Sequence, residues 1–95
     1  MATVLVRHKV HDYAKWKSTY DSLDSFHKTH GVKSAQILRS TDDPNELVVI
    51  SEFADAATAR AFAQSEELKQ IMQRAGVADK PDMYFLDKAA SRSFA

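Results

Sequence analysis

His8 is the residue of this sequence whose type and position best suit chemistry. It lies in a segment, residues 4–10, in which Val4, Val6 and Val10 share its side of an alternating pattern. A period of two predicts a strand. An imidazole on such an apolar face can act as a general base or orient a ligand hydroxyl. It can also be a core histidine satisfied by one buried hydrogen bond, and the sequence leaves both interpretations open.

Aromatic residues at helical spacing follow His8. Trp16 and Tyr20 belong to an apolar stripe that predicts one helix, from an N-cap at Asp12 to a stop at His30-Gly31. The two rings can form the apolar wall of a pocket that faces His8, or they can be ordinary core aromatics. The last strand can add an apolar ring and a hydroxyl. The candidate substrate-binding residues are Trp16, Tyr20, Tyr84 and Phe85, with His8 as the candidate catalytic residue.

Signatures of metal and cofactor sites are weak in this chain. The pairs His8-x-x-His11 and His27-x-x-His30 do not resemble known ligand patterns, because no carboxylate lies at a helpful spacing. The two glycines form no phosphate-binding loop, and the chain has no cysteine. We therefore expect no metal and no bound cofactor.

Composition narrows the class of protein. The 95 residues predict one domain, residues 1–88, followed by a flexible C-terminal tail, residues 89–95. Thirteen Lys and Arg balance thirteen Asp and Glu, which disfavours nucleic acid and anionic membrane as partners. No apolar run reaches the length of a signal peptide or a membrane span. Together with the lack of cysteine, this predicts a cytoplasmic protein.

The remaining patterns complete six elements. Residues 32–40, 47–53 and 83–86 predict strands, separated by a dense turn at residues 41–45 and by a second helical region. That region has an N-cap at Asp55, a fresh start at Ser65 and a stop at Gly76. The order β-α-β-β-α-β predicts an α+β fold, the ferredoxin-like sandwich, in which helices cover one face of a four-stranded antiparallel sheet.

The sheet face without helices is predicted to be apolar as well. A bare apolar sheet face is an association surface, so we expect a homodimer formed through this open face; a monomer with a half-wet sheet is the alternative. Its apolar members are predicted to be Val48, Ile50, Leu5, Ile37 and Leu86, with Arg7, Lys9, Arg39, Glu46 and Glu52 at the rim.

Four stretches give the chain a family resemblance. They are residues 6–17 (VRHKVHDYAKWK), residues 43–49 (DPNELVV), residues 59–62 with 65–68 (ARAF and SEEL) and residues 75–77 (AGV). On these stretches the chain resembles the dimeric α/β-barrel superfamily, which includes the antibiotic biosynthesis monooxygenase-like proteins. The resemblance implies paired sheets that close a dimeric α/β barrel, with a pocket between sheet and helices in each subunit.

The resemblance also implies a range of functions. Monooxygenases of the superfamily that need no cofactor place a polar residue and a tryptophan near a polycyclic aromatic substrate, and His8 and Trp16 are the counterparts here. Haem-degrading members use an asparagine as well, but Asn45 lies in a predicted turn. We therefore expect a homodimer that binds a small apolar or aromatic ligand, as a cofactor-independent monooxygenase or cyclase acting on an aromatic or polyketide-like compound. A non-catalytic ligand-binding or stress-associated dimer is the alternative.

Overall fold

A computed structural model describes residues 1–94 of the chain. It contains the predicted elements in the predicted order. The elements are β1 (Ala2–Lys9), α1 (Tyr13–Asp21), α2 (Asp24–Thr29), β2 (Ser34–Arg39), β3 (Glu46–Phe53), α3 (Ala56–Ala63), α4 (Glu66–Ala75) and β4 (Asp82–Asp87). The four strands form one sheet in the order β2-β3-β1-β4. All three pairings are antiparallel, and the predicted ferredoxin-like α+β fold is confirmed.

The pairing register determines which side chains share a face. In the two central strands His8 pairs with Leu47, and Val6 lies between Val49 of β3 and Met83 of β4. Alternate residues of β1 and β3 are buried, and their neighbours are only half-buried. The helices therefore cover one face of the sheet. The other face is open in this chain, so a barrel would need a second sheet.

Side-chain caps fix the beginnings of three helices where the sequence predicts them. The Asp12 carboxylate accepts hydrogen bonds from the backbone N–H groups of Ala14 and Lys15. Asp55 accepts from the N–H of Thr58, and the Ser65 hydroxyl accepts from that of Leu68. These caps satisfy N–H groups that lack partners inside the first turn of a helix.

The first helical region is interrupted, which corrects the prediction of one continuous helix. The hydrogen-bond pattern tightens at its centre, where the N–H of Leu23 donates to the carbonyl of Tyr20, three residues back, at 3.1 Å. The Ser22 hydroxyl donates to the Thr19 carbonyl at 2.6 Å. A serine that bonds to the backbone in this way competes with the regular helical ladder. The chain consequently turns between α1 and α2 before it reaches Gly31.

The core beneath the helices consists of two neighbouring clusters. One surrounds Phe53, which is fully buried and packs 5.4 Å from Phe62, centroid to centroid. The other joins Trp16 of α1 to Leu47 and Val49 of β3. Trp16 therefore fastens the first helix to the end of the sheet at which His8 lies.

The open face has a different membership from the one predicted. Ile37 pairs with Val49 and Arg39 with Leu47, so the register puts both on the helix-covered face. The Arg39 guanidinium lies 3.9 Å from the centroid of the Tyr13 ring. The open face instead receives Leu38 (49% exposed) and Tyr84 (53%), while Leu86 (45%) lies on it as predicted. Its other apolar members are Leu5, Val48 and Ile50.

The C-terminal segment carries no regular structure in the described residues. Residues 88–94 are exposed, and Phe94 is 86% exposed. Residue 95, the last of the predicted tail, lies outside the described residues. The flexibility of the tail and the cytoplasmic location stay predictions. Within residues 1–94, no helix has the length and apolarity required to cross a bilayer.

Gly31 and Gly76 both adopt the left-handed conformation, at φ of +86° and +83°, but only Gly31 is crowded. A Cβ on Gly31 would lie 2.7 Å from Thr58 Cγ2, whereas the nearest atom to one on Gly76 is His11 Cδ2 at 3.9 Å. Gly76→Ala should therefore cost about 1 kcal/mol of unfolding free energy for the conformation alone. Gly31→Ala should cost more, and Thr58→Ser in the same chain should recover part of the excess. Urea unfolding of the variants measures this, and equal losses for both glycines would contradict the close approach.

Candidate functional site

A small cavity lies between the sheet and the helices at the His8 end of the molecule. Its volume is about 60 Å³, and its lining is mainly apolar. β1 and β3 form its floor, α1 and α2 one side, and α4 the other. The lining residues are Val6, His8, Trp16, Thr19, Tyr20, Leu23, His27, Val49, Ser51, Phe62, Leu68, Ile71, Met72 and Ala75.

His8 is the most unusual polar group in this lining. Its side chain is 2% exposed, and neither ring nitrogen has a hydrogen-bond partner among the described residues. Leaving a buried polar group unpaired costs about 1–3 kcal/mol. Within residues 1–94, no protein group supplies the hydrogen bond that a satisfied core histidine would have. The imidazole faces a cavity in which a ligand can supply the missing partner.

Burial also sets the charge of His8. Removal from water lowers the pKa of the imidazole, and the carboxylate of Asp79 offsets only part of that effect. His8 is therefore neutral at pH 7, with one ring nitrogen available to accept a proton and the other carrying a hydrogen that it can donate. A neutral imidazole can both orient a hydroxyl and remove its proton.

Trp16 and Tyr20 form the aromatic wall that the helical spacing predicts. The Trp16 ring lies 5.7 Å from His8 and 5.1 Å from Tyr20, centroid to centroid, and stacks on the latter at 24°. Trp16 is buried, and Tyr20 is half-buried with a hydroxyl whose pKa is raised by burial and by Asp24. The structure thus brings His8, Trp16 and Tyr20 into one cavity.

Tyr84 and Phe85 do not line this cavity, so the structure does not bring them together with His8 in the single chain. Tyr84 pairs with Leu5 on the open face. Phe85 lies on the helix-covered face but pairs with Val4, and the Arg60 guanidinium lies 4.4 Å from its ring centroid. β4 pairs with β1 only as far as Arg7, so its residues beyond Met83 lie toward the other end of the sheet.

Polar residues that sequence reasoning missed also line the cavity. They are Thr19 and His27 on the helices and Ser51 on β3. The His27 ring lies 4.7 Å from that of Tyr20, and burial lowers its pKa. Thr19 lies three residues after Trp16, and Ser51 alternates with Val49, so helical and strand periodicity placed both on inward faces. His27 continues the spacing of Trp16, Tyr20 and Leu23, so helical periodicity also pointed to it.

The cavity offers little to a metal ion or a charged cofactor. No lysine or arginine lines it. Within residues 1–94, no three side chains of His, Cys, Asp or Glu lie close enough together to hold a metal ion. His30 is occupied elsewhere, since its Nδ1 lies 2.9 Å from the Phe26 carbonyl oxygen. The cavity suits an uncharged, mainly apolar group that carries a hydroxyl.

A known family model covers most of the residues that line the cavity. The family model for antibiotic biosynthesis monooxygenase matches residues 16–74, which are 59 of the 95 residues. The matched range contains Trp16, Tyr20 and His27 but begins after His8. A search of curated protein sequences gave no significant match.

Solved structures share the fold at low sequence identity. SnoaB, a cofactor-independent oxygenase from Streptomyces nogalater, superposes with a TM-score of 0.76 at 19% identity, covering 95% of this chain and 94% of SnoaB. A protein from Bordetella bronchiseptica, named provisionally as an antibiotic biosynthesis monooxygenase, gives 0.80 at 13% identity, covering 94% and 97%. A conserved protein from Methanosarcina mazei gives 0.71 at 14% identity, covering 92% and 91%.

His8→Met should raise the unfolding free energy by about 1 kcal/mol or more, because it replaces two unpaired nitrogens with an apolar side chain. The same substitution should also reduce the loss of unfolding free energy at acid pH. Because the native pKa of His8 is lowered, below about pH 6.5 the unfolded chain binds a proton that the native imidazole resists. The unfolding free energy therefore decreases as the pH is lowered through that range, by at most about 1.4 kcal/mol per pH unit for each such histidine. Urea unfolding between pH 5 and 8 measures both effects, with exposed His11→Met as control. An unchanged pH slope would contradict the state assigned to His8.

Proposed function

Because the chain belongs to the antibiotic biosynthesis monooxygenase family, we propose that it binds a small hydroxylated aromatic or polyketide-like compound in the His8 cavity and oxidises it without a bound cofactor. One observation carries this proposal: His8 is buried, and within residues 1–94 both its ring nitrogens lack partners in a mainly apolar cavity. A hydroxyl on the ligand would satisfy the imidazole, and the stacked rings of Trp16 and Tyr20 would hold an aromatic skeleton.

The first step of the proposed reaction is proton transfer to His8. An ordinary phenol has a pKa near 10, whereas an unperturbed imidazolium has one near 6.5, so the transfer is uphill by about 5 kcal/mol. The lowered pKa of His8 adds to that cost. Such a cost can be part of an enzymatic barrier, but it favours ligands with acidic hydroxyls, such as enols conjugated to a carbonyl.

Reaction with molecular oxygen then needs no group beyond the ligand. The deprotonated ligand donates electrons from its carbanion-like carbon to O₂, and a carbon–oxygen bond forms at that carbon. The oxygen–oxygen bond of the resulting peroxide breaks as a carbonyl forms. The second oxygen leaves as water with the two hydrogens that the ligand loses, one of them returned by His8. The ligand supplies all four electrons that O₂ accepts.

One feature favours the alternative, a binding protein without catalysis. A catalytic histidine is commonly oriented by a hydrogen bond from its second nitrogen to a carboxylate or carbonyl. His8 has no such partner among residues 1–94. In this second candidate function, His8 would act only as the hydrogen-bonding contact for a bound ligand.

The proposal includes assembly as a homodimer through the open face. Leu38, Tyr84 and Leu86 are each about half exposed in the single chain and surround half-buried Val48 and Ile50. Large exposed apolar patches of this kind mark protein–protein interaction sites. A second copy would supply a matching face, as in the paired sheets of a dimeric barrel.

His8→Gln tests catalysis against binding. Glutamine keeps hydrogen-bonding capacity but exchanges no proton near neutral pH. With 1-naphthol as probe, we expect oxygen uptake to fall about 10²- to 10⁴-fold while the dissociation constant changes far less. His11→Gln, at an exposed position outside the cavity, is the matched control. Equal turnover in both variants would exclude His8 as the base. Binding without oxygen uptake across a range of acidic phenols would favour the second function.

Val48→Lys tests the assembly. Val48 is half-buried on the open face of the single chain, so a lysine there should leave the fold intact. At the centre of a dimer interface the same charge would be desolvated, which costs several kcal/mol. Analytical ultracentrifugation should show a dimer for the wild type and a monomer for Val48→Lys. The control is Ala61→Lys, at an exposed position on α3. A wild-type particle of monomer mass at tens of micromolar would overturn the dimer.

A further inference from the structure

Two cavities of very different size share a wall. The His8 cavity of about 60 Å³ and an outer groove of about 410 Å³ are both lined by Leu68 and Met72 of α4. The groove runs between α4 and the segment that leads into β4. Its other lining residues are Ala63, Lys69, Gln73, Val77, Asp79, Lys80, Pro81 and Met83.

The space beside His8 is too small to enclose an aromatic ring in this structure. A cavity of about 150 Å³ accepts benzene, and ligand pockets of enzymes commonly enclose about 300–1,000 Å³. The space beside His8 is less than half of the first value. Any ring that hydrogen-bonds to His8 must therefore displace part of the cavity wall.

Met72 is the wall residue best able to move. The sheet side of the cavity is held by strand pairing, and Trp16 and Phe62 are buried in the two core clusters. Met72 is only partly buried. Methionine is unbranched, with several rotatable bonds, and adapts its shape at low cost. Displacement of Met72 would connect the His8 cavity to the groove on its far side.

We propose that Met72 forms a movable partition beside the buried Leu68, and that the ligand is an elongated molecule occupying both spaces. This inference rests on the proposed function of the His8 cavity. A hydroxylated ring lies at His8, an apolar chain passes the partition, and an acidic end lies in the groove near Lys80. The substrate class is therefore an aryl or polyketide-like compound with an extended apolar arm that ends in a carboxylate.

The charges of the groove support an acidic end. Lys69 forms an ion pair with Glu66 at 3.5 Å, and the Asp79 carboxylate accepts a hydrogen bond from the backbone N–H of Lys9 at 3.0 Å. Lys80 forms no ion pair within residues 1–94. Lys80 is therefore the cation available to an anionic group in the groove.

A homologous series of 4-alkylphenols, from methyl to octyl, tests the connection between the two spaces. Trp16 is the only tryptophan of the chain and lines the His8 cavity, so quenching of its fluorescence reports binding directly. Each methylene buried beyond the partition should tighten binding about fourfold. The matched ω-(4-hydroxyphenyl)alkanoates should bind more tightly than the alkylphenols once their chains reach the groove.

Substitutions on either side of the partition locate the arm. Met83 lines the groove but not the His8 cavity, so Met83→Ala should weaken binding of octylphenol and leave that of methylphenol unchanged. Met72→Ala should strengthen binding of methylphenol, because the ring no longer has to displace the partition. Lys80→Gln should remove the preference for the carboxylates, about two- to fivefold at an exposed position, whereas exposed Lys88→Gln should not.

The outcomes separate this inference from the proposed function. Binding of methylphenol that depends on His8 but gains nothing with chain length would overturn the partition and leave the His8 site standing. Equal losses of methylphenol and octylphenol binding in Met83→Ala would overturn it as well. If no phenol of the series quenches Trp16 fluorescence and His8→Gln leaves oxygen uptake with 1-naphthol unchanged, both the partition and the proposed function fail.

Discussion

The burial of an unpaired imidazole between a sheet and a tryptophan is the constraint on which the rest of the site depends. His8 can lie there only because β1 is a central strand whose alternate residues face the helices. Trp16 covers it because α1 begins at a fixed point, the Asp12 cap. Each of these features would stabilise the fold equally well with an apolar residue at position 8. The histidine therefore costs stability, and a ligand hydroxyl is the partner that would recover it.

The same strand order separates two surfaces of the chain, the floor of the cavity and the open face of the sheet. β1 and β3 supply both, since odd and even positions of each strand point to opposite faces. The floor of the cavity and the centre of the open face are thus made by neighbouring residues, such as Val49 and Val48. An interface on one face would stiffen the strands that carry His8, whereas the wall that Met72 of α4 forms would remain free to adjust around a ligand.

The sequence predicts most of this arrangement wherever the signal is local. Caps at Asp12, Asp55 and Ser65 and left-handed stops at Gly31 and Gly76 depend on the nearest few residues, and all are confirmed. The face occupied by Ile37 and Arg39 depends on the register with β3, which no local pattern fixes, and its prediction is wrong. Tyr84 and Phe85 are adjacent in β4 and point to opposite faces, and the end of the sheet that they reach depends on pairing with β1, which no local pattern fixes. Phe26 and His27 both continue the helical spacing from Leu23, and local spacing does not decide which of them faces the cavity.

Arg7 links the open face to the cavity at the His8 end of the sheet. It follows Val6 and precedes His8, so its side chain points to the open face while its neighbours line the cavity. Its guanidinium pairs with Glu46 of β3 and, at 3.2 Å, with Asp82 of β4. In the single chain these ion pairs are solvent-exposed and worth little. Covered by a second sheet they would be desolvated, and their geometry would then hold three adjacent strands in register at the His8 end. Assembly and the shape of the cavity would in that case be coupled through one residue that touches no ligand.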